Sequence, residues 1–88
     1  MKTYNTTKKS RVISSNTIIK KDNYSSIEIV NLGEVEIIID DNIPLLPDNS
    51  FSWLNDANIM IDQDTSIRFK DEVGVKKCIV QTFYNTLK

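Results

Sequence analysis

The chain has no histidine, one cysteine, two glycines and two prolines in 88 residues, and each scarcity removes a class of chemistry. Without histidine, the commonest general base and metal ligand is missing, and no Ser-His-Asp or Cys-His arrangement can be assembled. The lone Cys78 can neither form an internal disulfide nor complete a structural zinc site. Gly33 and Gly74 stand too far apart for a phosphate-cradling loop. No apolar run approaches the roughly 18 residues of a membrane-spanning helix. Residues 1–11 are polar and are followed by no apolar segment of signal-peptide length. The expectation is a protein made in the cytosol, with no membrane contact, no catalytic residues, no cofactor and no metal site.

Helix formers are also scarce. Ala57 is the only alanine and leucine is infrequent, whereas isoleucine, valine and threonine are plentiful. These β-branched residues suit a pleated, half-buried surface, and no stretch sustains a 3.6-residue apolar period over three turns. Short apolar runs recur every 8 to 12 residues or so, with turn residues between them, the pattern of a sandwich or small barrel. The predicted class is therefore all-β: a small antiparallel β-sandwich or barrel with an extended N-terminal arm. Residues 1–10 form the basic arm, of low intrinsic order, and residues 11–88 the single β domain. A domain this small is only marginally stable alone, so partner contacts are expected to contribute.

The stretch from Ile27 to Trp53 organises the prediction. Two runs rich in isoleucine and valine flank Asn31-Leu32-Gly33, which reads as a hairpin closed by a left-handed glycine. In that register Ile29 faces Val35 and Ile27 faces Ile37, with Glu28 and Glu36 on the other side. Asp40-Asp41-Asn42 then breaks the hairpin. Pro44 and Pro47 bar the run 43–47 from any central strand. Pro47-Asp48-Asn49 reads as a turn, with the asparagine taking the left-handed position. Arg11 to Ser14 and Thr17 to Lys20 are short strands, and Thr65 to Lys70 alternates cleanly. The closing run 75–84 is apolar on both faces, as in a strand central to its sheet or covered by a neighbouring chain.

Net charge is only −1, but it is segregated. Residues 1–21 carry six cations and no acid, residues 22–64 ten acids and no cation, and the remainder five cations against two acids. One explanation pairs terminal strands with acidic middle strands inside the molecule. The other sends the basic arm onto an acidic surface of a neighbour. Nucleic-acid binding calls for a basic body with interleaved aromatics, and this body is acidic. Asp40, Asp41, Asn42, Asp62 and Asp64 match no calcium-loop spacing and read as solvated turns. No pair of acids is placed for glycoside cleavage. Phe51 and Trp53 are either core anchors or an exposed platform, and burial of at least one is expected. The candidate partner-binding residues are Lys2, Tyr4, Lys8, Lys9, Arg11, Phe51 and Trp53.

The succession Ile-Glu-Ile-Val-Asn-Leu-Gly, Val-Glu-Ile-Ile-Ile-Asp and Ile-Pro-Leu-Leu-Pro-Asp-Asn-Ser-Phe-Ser-Trp resembles small β-sandwich virion proteins of tailed bacteriophages. The closing Lys-Cys-Ile-Val-Gln-Thr-Phe-Tyr is similar to their last strand. The resemblance covers residues 27–84; Asn49 stands where glycine is usual, and the basic N-terminal part lies outside the pattern. It implies a non-enzymatic auxiliary capsid, or decoration, protein, with crAss-like phages of gut Bacteroidota as one candidate source. The implied partners are the major capsid protein or other virion proteins, with homo-oligomers as a further option, and the implied location is the virion, assembled in host cytoplasm. Two alternatives stand beside it: a small carbohydrate-binding module using Trp53 and Phe51, and a head–tail connector or tail component.

Overall fold

A computed structural model describes residues 3–87, and every regular element in it is a strand. In chain order these are β1 (Tyr4–Ile13), β2 (Thr17–Ile19), β3 (Ser26–Asn31), β4 (Ile37–Ile39), β5 (Ile43–Leu45), β6 (Ser50–Trp53), β7 (Thr65–Phe69) and β8 (Cys78–Leu87). They form two four-stranded antiparallel sheets, β1-β8-β3-β6 and β2-β7-β4-β5. The architecture is a sandwich, because neither sheet closes on itself. Every connection but one crosses from one sheet to the other; the exception is the β4–β5 hairpin.

Alternation builds the core. The inward residues of β3 and β8, Ile27, Ile29, Cys78 and Val80, meet Ile37, Ile39, Ile67 and Phe69 of the second sheet, all buried. Tyr24, Val35 and Ile61 from the crossovers close the ends. Edge strand β5 accommodates Pro44, whose missing N–H costs nothing there.

The predicted hairpin over residues 27–39 does not form. Ile27 pairs with Trp53 and Thr82, and Ile29 with Phe51 and Val80, all in the first sheet; Ile37 pairs with Leu45 and Phe69 in the second. The four aliphatics assigned to one buried face, Ile27, Ile29, Val35 and Ile37, are indeed all fully buried. They approach the core from opposite walls. A hairpin and a sheet-to-sheet crossover bury the same alternate residues, so alternation alone cannot choose between them.

What holds the crossover is the buried Asn31. Its Nδ2 donates to the carbonyls of Val35 (2.9 Å) and Leu45 (3.0 Å), and its Oδ1 accepts from the Gly33 N–H (3.0 Å). The next residues bond sideways instead of folding back: Leu32 N–H to the Lys77 carbonyl and Glu34 N–H to that of Val75. Gly33 is not left-handed. It is needed because a Cβ there would strike the Val75 carbonyl oxygen and lie 2.8 Å from the Lys77 nitrogen.

The acidic triplet, predicted to end a hairpin, instead turns one. Asp40 and Asp41 both adopt positive φ (51° and 62°), joining β4 to β5, and Asn42 N–H bonds the Ile39 carbonyl. In the next turn Asp48 (φ 67°), not Asn49, takes the left-handed position after Pro47.

Candidate protein-interaction site

β1 begins where the arm was expected: residues 4–10 are its first seven, so the proposed boundary at residue 10 falls inside the strand. All ten residues pair with β8, from Tyr4 opposite Leu87 to Ile13 opposite Cys78. β3 reaches only Phe83 on the other side of β8. The last four pairs, Thr7–Tyr84 to Tyr4–Leu87, therefore project as a two-stranded ribbon. From Asn5 to Val12 every β1 residue is exposed.

Parity sorts the candidate cations. Ile13 faces the core, so Arg11 and Lys9 lie on the same inward side, opposite Val80 and Thr82. Lys8, opposite Phe83, lies on the outer side. β2, the edge strand of the second sheet, has only three residues. A cleft of about 710 Å³ opens beside these two edges. It is lined by the cations Lys9, Arg11, Lys20 and Lys21, by one acid, Asp22, and by Ile19, Tyr24, Val80 and Tyr84.

The charges in the cleft are unequally engaged. Lys9 Nζ lies 4.6 Å from the centroid of the Tyr84 ring, a cation–π contact, and 3.9 Å from Asp22 Oδ2. Lys20 Nζ reaches Asp64 at 3.3 Å and Lys21 Nζ reaches Asp62 at 2.9 Å. The Lys21 backbone N–H donates to Asp64 Oδ1 (2.9 Å), and this bond, then Lys20, holds the Asp64 carboxyl below the usual range. The hydrogen bond to Asp62 holds the Lys21 ammonium above its ordinary value. Arg11 makes no ion pair or side-chain hydrogen bond among the described residues. Beneath the mouth, Tyr24 packs edge-on against Tyr84 (6.0 Å between centroids), and burial pushes its phenol up. The buried Tyr24 and Thr65 hydroxyls neighbour each other, with no other hydrogen-bond partner among the described residues.

No match to this chain is found among protein-family models, curated proteins or solved structures.

Lys9 and Arg11 share the cleft, Lys8 lies on the reverse face, and half-buried Tyr4 lies near the ribbon tip. Lys2 lies outside the described residues. Phe51 and Trp53 are on β6, at the far edge of the same sheet. Both point inward beside Ile29 and Ile27 and are half-buried against the core, so neither is fully buried and neither is a free platform. Lys20, Lys21, Tyr24 and Tyr84 were missed as members of the site. For Tyr84 a signal existed: Lys9 and Arg11 share the parity of Ile13, which turns them toward whatever faces the last strand.

Charge segregation resolves in part within the molecule. Three of the six N-terminal cations, Lys9, Lys20 and Lys21, pair with Asp22, Asp64 and Asp62. Lys8 and Arg11 have no such partner among the described residues.

Proposed function

We propose that this chain is a non-enzymatic structural protein of a phage virion, an auxiliary capsid protein that binds capsomers through the basic strand β1. The observation that carries the reading is β1 itself. A ten-residue edge strand, exposed from Asn5 to Val12 and bearing Lys8, Lys9 and Arg11, offers far more surface than its one apolar anchor, Ile13, requires. Such a strand suits an acidic neighbour, where charge complementarity sets orientation and partner. The virion setting comes from the resemblance of residues 27–84 to small tailed-phage proteins.

Deleting residues 1–10 is a poor test, because it strips seven residues from β1 and bares β8. Reversing Lys8, Lys9 and Arg11 to glutamate leaves the backbone ladder in place. The triple variant is expected to keep the β-sheet circular dichroism spectrum and lose co-sedimentation with phage heads. Full occupancy by the variant would show that β1 is not the attachment element.

A further inference from the structure

Two unpaired sheet edges border one cleft: β1 of the first sheet and β2 of the second each have a neighbour on one side only. Because β2 spans three residues against ten in β1, Arg11 and Lys9 occupy inward positions where aliphatic residues would otherwise seal the sandwich. Both are exposed. The free edge of β1 also presents backbone donors and acceptors at strand spacing, which an incoming strand can use.

We propose that this cleft receives an extended acidic segment of a partner protein, added as a strand along β1 with carboxylates opposite Arg11 and Lys9. The proposal rests on the reading that the chain acts by protein contact, and it names the chemistry and mode of that contact. Three features select this occupant. A β1-to-β1 dimer paired across residues 8–11 would gather Lys8, Lys9 and Arg11 of both copies on one ladder, and like charges brought together there repel. A single-stranded nucleic acid would need exposed rings for stacking, but Tyr24 is buried and Tyr84 already lies under the Lys9 ammonium. A small anion would satisfy Arg11 and leave the strand edge unused. The cations that deter apolar strands from this edge favour an acidic one.

The probe is an acetylated, fluorescein-labelled decapeptide of alternating glutamate and valine, followed by fluorescence anisotropy. Saturable binding is expected. It should weaken by on the order of tenfold or more in the Arg11→Glu variant, and similarly when alternate peptide nitrogens are methylated, which removes ladder donors. A lysine–valine peptide should not bind. Equal affinity for the methylated peptide would mean ionic attraction without strand addition, and tighter binding of an oligo-dT would name a nucleic acid; either overturns the proposal. So does failure of the glutamate–valine peptide to saturate. If co-sedimentation with heads still depends on the β1 cations while the peptide fails, only strand addition falls. If neither holds, the reading beneath it falls as well.

Discussion

At the scale of single residues, Asn31 has the largest structural consequence for its size. A buried polar group is tolerated when its hydrogen bonds are made, and Asn31 makes three, tying the end of β3 to the crossover and to β5 in the opposite sheet. Asn31→Ala leaves two carbonyls and an N–H without it, a loss on the order of 3 kcal/mol. That is a large share of the roughly 4–13 kcal/mol expected for a domain this size, and urea unfolding should show the midpoint fall accordingly. Cys78 supplies a second test. Its thiol is fully buried, and burial pushes its pKa up to about 11. A thiol reagent should modify it only as fast as the chain opens. A raised folded-state value means the unfolded chain releases the proton first, so stability is intact below about pH 9 and declines toward pH 11. Tyr24, also raised, adds to the same decline. Cys78→Ala should therefore show a shallower loss than the parent between those pH values, and an identical slope would deny the thiol that role.

At the scale of elements, the β4–β5 hairpin holds a cost that the sequence can shed. Asp40 and Asp41 both sit in left-handed backbone, which disfavours side chains other than glycine and, less so, asparagine or aspartate. Asp40 compensates, since its Oδ1 accepts the Ser66 N–H at 3.1 Å. Asp41 has only an exposed pairing with Arg68 at 3.8 Å, which contributes little. Asp41→Gly is expected to stabilise by about 0.5–1 kcal/mol, read as a higher thermal midpoint; a lower one would mean that the ion pair outweighs the backbone. The same hairpin shows what was legible. The strands β2, β3, β4, β7 and β8 and the last residues of β1 followed from alternation and β-branched content, and Pro44 kept its run out of a central position; the first seven residues of β1 were read as an arm and β6 was not read as a strand. Partners did not follow, because the true hairpin turn, Asp40-Asp41, lacks glycine, whereas Asn31-Leu32-Gly33 has the chemistry of a turn and the role of a crossover. Gly33 is required by the backbone of Val75 and Lys77, 42 or more positions further along the same chain, a constraint absent from its local sequence.

At the scale of the whole molecule, the principal extents are 50 × 19 × 16 Å and the radius of gyration is 13.9 Å. A compact domain of this length would have about 12 Å. The excess accords with the β1–β8 ribbon, which continues past the end of β3. The sequence marked this region as basic and poor in aliphatics. It concealed the pairing, because the strand propensity of residues 4–10 is weak and their order comes from β8. It also concealed the cleft, which depends on β2 being short opposite a long β1. β1 is the surface through which this chain is proposed to meet a partner. Hydrogen exchange measured free and bound to phage heads tests it most directly. The outward amides of β1 should exchange freely in isolation and become protected on the particle. Unchanged exchange in β1, with protection gained on the outer face of β2-β7-β4-β5 instead, would contradict it.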